Sequence, residues 1–375
     1  MKKKLLIFHP ALAPYRIDQF NALSQLFDLE VVFIFKNIPD NKFDQNKLLS
    51  LLHFKYSFLL IGPSFNGRVF RFGVFNTIRK FKPDIIFGYE YSLTTQYLIL
   101  LKRFGFIHQK IGTTTDDSLD ICNNVQTRSR FFARRISVKR LDYLIVLSNE
   151  VSRFYQKVFS LKDSQVIVSP ILQDPDRLRA NITELEALAN GYSQQYHLAG
   201  KKVLLFVGRF IPEKAIPGFL LNIHSILQEQ KNLVLVIIGE GIEKKAIEGL
   251  IREKHLEEKV ILPGRFEGQY LNAWYLCASG FVLPSIYEPF GAVVNEALIF
   301  GLKVLCSKYA GSSFLVNDGK GLLFDALNEK ETVTKMKLFI NSIEVFEKVD
   351  MMQKPTLMSD HQPEITKEWE KLIYD

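Results

Sequence analysis

The sequence predicts an α/β protein in which two doubly wound parallel sheets form two domains. The first observation is length, because 375 residues, 47% of them apolar, can bury two sizeable cores. The second is a series of short, continuous apolar runs, which is typical of strands buried on both faces. The third is the helical pattern between those runs, which predicts crossover helices and therefore parallel strands.

The predicted elements alternate along both halves of the chain. Strands are predicted at residues 5–8, 31–35, 85–88, 110–113 and 143–147, and then at 203–207, 233–238 and 280–283. Helices are predicted at residues 16–26, 94–103 and 149–159. Parallel sheets bind ligands beyond the carboxyl ends of their strands, so the loops that follow these strands are the candidate sites.

A pair of glutamates follows the predicted strand at 280–283. Glu288 and Glu296 flank a Pro-Phe-Gly turn that leads into an apolar helix, which we expect to begin near Phe290. The free N–H groups and the dipole of such a helix favour phosphate, and the two glutamates would lie roughly 10–12 Å apart along its axis. This spacing suits a nucleotide sugar. The alternative is a helix-terminus charge and an ordinary ion pair.

Two cations and two glycines follow the other carboxyl-half strands. Arg209 and Lys214 come directly after the strand at 203–207, where either side chain could neutralise phosphate oxygens. Gly239 and Gly241 close the next strand in a Gly-x-Gly turn. Taken singly, the cations could be solvated loop residues and the glycines only a tight turn.

Together these pieces resemble retaining glycosyltransferases of the GT-B fold, in particular glycosyltransferase family four. The resemblance covers most of the carboxyl-terminal half, and its pieces stand in the order expected of that family: residues 207–214, 238–241, 262–264, 284–297, 301–304 and 321–324. It implies two Rossmann-like domains that face each other across a cleft.

The resemblance implies a role for each matching residue. It assigns Glu288 to the donor sugar, Glu296 to the ribose hydroxyls, and Arg209 with Lys214 to the departing diphosphate. The remaining donor-binding positions are backbone amides near Phe290, Gly291 and Ala292, and the loops that carry Gly239, Gly241 and Arg265. We expect no metal ion and no cofactor besides the nucleoside diphosphate sugar, because Arg209 and Lys214 can stabilise the leaving group.

The chain departs from the family pattern at two places. Ala215 stands where a glycine usually follows the Glu-Lys pair, so we expect a backbone there without positive φ. The family's glycine-rich amino-terminal loop is replaced by residues 9–16. We assign three side chains of that replacement, His9, Tyr15 and Arg16, to the acceptor side.

A second acceptor-side candidate is the pair Asp116 and Asp117. Many family members have a histidine after the corresponding strand, and this chain has Thr-Thr-Thr-Asp-Asp at residues 113–117. Either aspartate could orient the acceptor hydroxyl or act as a base. The alternative is a turn or a helix cap, for which aspartate is well suited.

Charge is concentrated in the amino-terminal half. The first 180 residues carry 27 Lys and Arg against 15 Asp and Glu, within a whole chain of net charge +8. Residues 128–140 form a basic amphipathic stretch that could lie on an anionic membrane or hold a phosphate-bearing acceptor. The alternative is a crossover helix with a solvated basic face. We expect no nucleic-acid partner, because no nucleic-acid motif accompanies the charge.

The amino terminus and the cysteines indicate a cytoplasmic protein, with the inner face of the membrane as a second expected location. The apolar run at residues 5–8 is shorter than the roughly 7–15 residues of a signal peptide core, and His9 and Pro10 interrupt it. No run approaches the roughly 20 apolar residues of a membrane span. Three scattered cysteines indicate reduced thiols.

The predicted domain organisation has four parts. Residues 1–170 form the acceptor-side domain, residues 171–200 a polar connection, and residues 201–355 the nucleotide-sugar domain. The resemblance implies that residues 356–375, with Trp369, return as a helix to the first domain.

The predicted function is that of a retaining, metal-independent glycosyltransferase. It moves a sugar from a nucleoside diphosphate to a glycan or lipid-linked acceptor, as in surface polysaccharide assembly, and the leaving phosphate could accept the acceptor's proton. Two alternatives stay open. One is a GT-B-fold epimerase or phosphorylase, and the other is a nucleotide-sugar-binding protein without turnover.

Overall fold

The computed structural model describes residues 2–38, 42–65, 68–124, 127–317, 319–358 and 364–374. The chain divides into two compact units, each with its own core. Unit 1 comprises Met1–Gln173 and His361–Asp375, and unit 2 comprises Asp174–Asp360.

Unit 1 is built around a seven-stranded parallel sheet. The strands of this sheet are β1 (Lys4–His9), β2 (Asp28–Phe33), β3 (Lys55–Phe58), β6 (Ile85–Tyr89), β7 (Lys110–Thr114), β8 (Tyr143–Val146) and β9 (Val166–Val168). Two further strands, β4 (Ser64–Phe65) and β5 (Arg68–Val69), form a separate hairpin. Its helices are α1 (Ile17–Leu26), α2 (Gln45–Leu49), α3 (Val74–Phe81), α4 (Leu93–Arg103), α5 (Leu119–Asn124), α6 (Arg128–Val138) and α7 (Asn149–Phe159). The sheet order is β3-β2-β1-β6-β7-β8-β9.

Unit 2 is built around a six-stranded parallel sheet. Its strands are β10 (Lys202–Val207), β11 (Leu233–Ile238), β12 (Val260–Gly264), β13 (Gly280–Leu283), β14 (Lys303–Ser307) and β15 (Gly321–Phe324), in the order β12-β11-β10-β13-β14-β15. Its helices are α8 (Pro175–Leu178), α9 (Ile182–Gln195), α10 (Ile216–Glu229), α11 (Lys244–Glu253), α12 (Gln269–Cys277), α13 (Ala292–Ile299) and α14 (Glu329–Ser342). The predicted fold class of two parallel α/β sheets is confirmed.

The expected connection at residues 171–200 contains α8 and α9. Tyr192 of α9 stacks on Trp274 of α12, with ring centroids 4.5 Å apart. Two short helices, α15 (Glu364–Lys367) and α16 (Lys371–Tyr374), follow unit 2 in the chain. Trp369, which lies between them, packs against Phe87 in the core of unit 1 and donates from Nε1 to Ser169 Oγ at 2.8 Å.

The strand orders place one switch point in each sheet. In unit 1 the order reverses between β1 and β6, and in unit 2 it reverses between β10 and β13. Loops that leave neighbouring strands at such a point diverge to opposite faces of the sheet and open a crevice, in which α/β proteins bind their ligands. None of the described helices combines the length and apolarity needed to span a bilayer.

Candidate active site

In unit 2, the loops that follow β10 and β13 are joined at the switch point. The β10 loop forms a tight turn at Pro212–Lys214, and the carbonyl of Glu213 accepts the backbone N–H of Ile286 at 2.9 Å. The Lys214 ammonium group forms an ion pair with Glu288 Oε2, and both side chains are mostly buried. The structure therefore brings together Lys214 and Glu288, which lie 74 residues apart in the sequence.

Arg209 lies on the same β10 loop but is available to a ligand. Its side chain is exposed and forms no hydrogen bond or ion pair with any residue that the structure describes. An exposed guanidinium group can bind a diphosphate without first giving up a protein partner. Arg209 is thus exposed and Lys214 is mostly buried in an ion pair, although both lie in the same short loop of the sequence.

The turn after Glu288 leads to the start of α13. This helix begins at Ala292, two residues after Phe290, near which the sequence predicted its start. The reason is Gly291, whose φ of 90° places it in the left-handed region and outside the helix. The Phe290 carbonyl accepts the N–H of Ser312 at 2.7 Å, which fixes the turn.

Polar groups at this turn lack protein partners. Among the described residues, the backbone N–H groups of Phe290 and Gly291 have no acceptor. The hydroxyl of Ser312 is buried and unpartnered, and lies 3.1 Å from the position that a Cβ on Gly291 would take. The first N–H groups of α13 add further free donors. An anionic ligand could accept hydrogen bonds from these donors.

Glu296 lies within α13. The hydroxyl of the fully buried Tyr275 donates to Glu296 Oε2 at 2.7 Å. Burial, and then the Glu296 carboxylate, raise the pKa of Tyr275 well above its ordinary value. Tyr275 therefore keeps its proton and orients Glu296, which retains partial exposure to solvent.

Gly239 and Gly241 support the β10 loop. A Cβ on Gly239 would lie 1.8 Å from the Gly208 carbonyl oxygen, and one on Gly241 would lie 2.4 Å from the Phe210 carbonyl oxygen. Glycine is therefore required for loop packing at both positions, and a role in donor binding stays a prediction. Arg265, beyond β12, is paired with Glu240 at 3.0 Å and with Glu267.

Ala215 contradicts the expectation from the sequence. Its φ is 53° and its ψ is 30°, so it adopts the left-handed conformation that the family's glycine would allow. The prediction of a backbone without positive φ was wrong because the turn at Pro212–Lys214 must still connect to α10. The alanine accepts strain of about 1 kcal/mol there.

In unit 1, Asp116 lies beyond β7 in a buried ion pair. Arg16 donates to both of its carboxylate oxygens at 2.6 and 2.7 Å, and to Gln19 at 2.6 Å. The Tyr89 hydroxyl donates to the same carboxylate at 3.3 Å. The structure thus brings together Arg16 and Asp116, two of the predicted acceptor-side residues. Tyr15, in the preceding helical turn, is half-buried.

Asp117 is paired with a second buried arginine. Arg134 Nη2 lies 2.9 Å from the carboxylate, which also accepts from Tyr155 at 3.0 Å and from Thr115 at 2.8 Å. Arg134 belongs to α6, so at least one cation of the predicted basic stretch is internal. The side chains of residues 128–130 in that stretch lie outside the described residues.

His9 ends β1 and is buried. Its Nδ1 lies 3.1 Å from the Ala11 carbonyl oxygen, and its ring packs edge-on against Tyr89. Burial, followed by the positive charge of Arg16, lowers the pKa of His9 to about 3. His9 is therefore neutral near pH 7.

Glu90 is a site candidate that the sequence reasoning missed. It directly follows β6 and has a φ of 45°, with its N–H donating to the Thr114 carbonyl at 2.7 Å. Desolvation by the surrounding protein, then the charges of Asp116 and Asp117, raise the pKa of Glu90 to about 7. The residue itself is exposed to solvent. The available signal was position, since Glu90 directly follows a strand beside the switch point.

No group of three metal-binding side chains suited to a metal ion occurs among the described residues. Metal independence of the reaction stays a prediction.

Comparison with known proteins identifies relatives of this chain. Residues 192–354 match the family described as glycosyl transferases group 1. Over 344 residues the chain is 23% identical to the uncharacterized glycosyltransferase YqgM of Bacillus subtilis, covering 85% of this chain and 89% of that one. A shorter match of 141 residues is 33% identical to N-acetylgalactosamine-N,N'-diacetylbacillosaminyl-diphospho-undecaprenol 4-alpha-N-acetylgalactosaminyltransferase of Campylobacter jejuni, and covers 37% of each chain.

Solved structures share the fold. Sucrose-phosphate synthase from Thermosynechococcus elongatus superposes with a TM-score of 0.68 at 19% identity, over 100% of this chain and 97% of that one. Anabaena Alr3699/HepE in complex with UDP and glucose superposes with a TM-score of 0.69 at 15% identity, over 99% and 96%. At these identities the likeness establishes the GT-B fold alone.

Proposed function

We propose that this chain transfers a sugar from a nucleoside diphosphate to a glycan or lipid-linked acceptor, because residues 192–354 match the family described as glycosyl transferases group 1. The transfer retains the anomeric configuration and needs no metal ion. The observation that carries the proposal is the unit 2 switch point, where the exposed Arg209 lies on the same loop as the Lys214–Glu288 pair. The lipid-linked acceptor named for the Campylobacter relative supports an acceptor of that class.

The chemistry follows from where charge develops. As the bond between the sugar and the diphosphate breaks, the leaving oxygen becomes negative. Arg209, Lys214 and the N–H groups at the start of α13 stabilise that charge more than they stabilise the intact donor. Glu288 positions the sugar, and Tyr275 holds Glu296 toward the ribose hydroxyls.

The test is release of free nucleotide from a panel of UDP-, GDP-, dTDP- and ADP-sugars. We expect one donor to be consumed, and Glu288→Gln to lower turnover by roughly 100-fold or more. The matched control is Glu329→Gln on the exposed first turn of α14, which should leave turnover unchanged. Activity in the presence of EDTA tests metal independence, and the anomeric proton signal of the product tests retention. Absence of turnover and of binding for every donor would overturn the proposal.

We also propose that unit 1 contacts an anionic membrane at the cytoplasmic face. Its described surface exposes four phenylalanines, of which three lie on α6 or just after α4: Phe104 at 68%, Phe106 at 64% and Phe132 at 60%. A hydrogen bond of 3.0 Å from Gln96 to Ser137 joins α4 to α6, so the surfaces of the two helices are adjacent. Arg103 on α4, and Arg135, Lys139 and Arg140 on or after α6, are also exposed.

The membrane proposal is tested by co-sedimentation. We expect binding to phosphatidylcholine vesicles that also contain phosphatidylglycerol, and little binding to phosphatidylcholine alone. Each of Arg135→Glu and Arg140→Glu should lower the partition coefficient about fivefold or more, since a cation near such a surface contributes about 1 kcal/mol. Equal sedimentation of wild type and both variants would contradict the proposal.

A further inference from the structure

The unit 1 sheet has its own switch point, and titratable side chains gather there. His9 ends β1, Glu90 follows β6, and Asp116 and Asp117 follow the neighbouring strand β7. A ligand of a doubly wound sheet binds beyond the carboxyl ends of the strands at this position. The cluster therefore occupies, in unit 1, the place that the Lys214–Glu288 pair occupies in unit 2.

The carboxylates of this cluster differ in whether they form ion pairs. Both oxygens of Asp116 accept from Arg16, and Asp117 is paired with Arg134. Glu90 forms no ion pair with any residue in the described part of the chain. The site consequently presents a carboxylate, and no unpaired cation of this cluster, to a ligand.

Two buried polar atoms in the cluster lack hydrogen-bond partners. His9 Nε2 and Arg134 Nη1 have none among the described residues, and their residues are only 8% and 5% exposed. His9 Nδ1 must donate to the Ala11 carbonyl, so Nε2 is an acceptor. Arg134 Nη1 is a donor beside Asp117, which the same guanidinium group contacts through Nη2.

The cluster thus holds an acceptor and a donor without partners among the described residues, beside the Glu90 carboxylate. A ligand group that forms a hydrogen bond with a buried, unpartnered polar atom gains affinity, because that atom otherwise stays desolvated. A hydroxyl group both donates and accepts, and a polyol presents several. A phosphate group only accepts at neutral pH, and it would meet the Glu90 carboxylate.

The backbone at Glu90 is held in place. Its positive φ is maintained by the N–H bond to the Thr114 carbonyl at 2.7 Å and by a bond from the Thr113 hydroxyl to its own carbonyl at 2.5 Å. Both partners belong to β7, the neighbouring strand in the sheet. The carboxylate is therefore carried on a fixed backbone.

We propose that the carboxyl edge of the unit 1 sheet, between β1 and β6, binds an uncharged, hydroxyl-bearing sugar of the acceptor, and that Glu90 accepts a hydrogen bond from one of its hydroxyls. This assignment rests on the proposed function and adds the class of acceptor and the residue that selects it.

The experiment measures transfer from the consumed donor to three probes: octyl β-D-glucopyranoside, D-glucosamine and D-glucose 6-phosphate. We expect the neutral glucoside to be glycosylated and the phosphate to be rejected. Glu90→Gln should lower the acceptor kcat/KM about 10- to 100-fold, the range expected for a hydrogen bond to a charged group. Glu150→Gln on α7 is the matched control.

Two further readouts separate binding from a structural role. The acceptor kcat/KM of the wild type should rise as the pH passes about 7, because Glu90, facing Asp116, Asp117, Arg134 and Tyr89, accepts the stronger, charge-assisted hydrogen bond when it is ionised. That rise should be absent in Glu90→Gln and present in Glu90→Asp. Glu90→Arg should shift preference toward D-glucose 6-phosphate.

The outcomes are distinguishable. If Glu288→Gln abolishes nucleotide release but Glu90→Gln leaves acceptor kcat/KM and its pH dependence unchanged, the assignment of Glu90 is wrong and the proposed function stands. Preference for the phosphate, or glycosylation of only glucosamine or of none of the probes, overturns the assigned ligand class. If the wild type neither binds nor turns over any donor, both proposals fail.

Discussion

The two sheets carry arginines in opposite states at their switch points. In unit 1, Arg16 and Arg134 are buried and each is bound to an aspartate. In unit 2, Arg209 is exposed and has no such partner among the described residues. The same residue type therefore stabilises the protein in one unit and is free for a ligand in the other.

The difference follows from desolvation. A buried guanidinium group must keep a carboxylate partner, because an unpaired charge in the interior is strongly unfavourable. An exposed guanidinium group is already hydrated and can exchange water for phosphate oxygens. Burial, more than position in a motif, thus separates an arginine that supports a site from one that binds its ligand.

The largest predicted effect tests this contrast directly. Arg16→Ala removes the partner of Asp116 and should lower the free energy of unfolding by about 3 kcal/mol or more. Arg209→Ala should change it by less than about 0.5 kcal/mol while reducing donor turnover. Urea denaturation and nucleotide release measure the two quantities.

The double variant Arg16→Ala with Asp116→Ala is the control for this prediction. It should recover part of the lost stability, since no unpaired carboxylate is left. Similar losses of stability in Arg16→Ala and Arg209→Ala would contradict the contrast between the units.

Candidate residues of unit 2 are easier to recognise in the sequence than those of unit 1, for a physical reason. Glu288, Arg209 and Lys214 lie in loops that follow strands, and Glu296 lies in the helix after one of them, so a motif can be seen in the sequence. In unit 1, Asp116 was identified but its partner is 100 residues distant, and pairing at that range depends on strand order. Glu90 was missed because an isolated glutamate carries no motif.

The second prediction concerns the glycine that supports the unit 2 loop. Gly239→Ala places a Cβ 1.8 Å from the Gly208 carbonyl, so the loop that carries Arg209 must move. We expect a loss of about 2–3 kcal/mol in unfolding free energy and weaker donor binding. Gly249→Ala in α11, where no atom lies within 4 Å, should instead be neutral or stabilising. Equal effects at the two glycines would refute this explanation.

A smaller effect is expected at Ala215, on the same loop. Because its φ is 53°, Ala215→Gly relieves strain and should stabilise the protein by about 0.5–1 kcal/mol. Ala246→Gly on the exposed face of α11 is the matched control and should destabilise by a similar amount. Thermal denaturation measures both, and a loss of stability in Ala215→Gly would show that the alanine side chain contributes packing that outweighs the strain.

The smallest effect belongs to unit 1 and depends on pH. The pKa of Glu90 is raised from 4.5 to about 7, so between these values the folded chain binds more protons than the unfolded chain. Its contribution to stability is complete below pH 4.5 and is lost as the pH rises through 7. Glu90→Gln removes this loss, so the variant should gain in melting temperature relative to wild type at pH 8 and show little difference at pH 4.5. A difference that is constant with pH would mean that Glu90 titrates like a surface carboxylate and that the unit 1 switch point imposes no special environment on it.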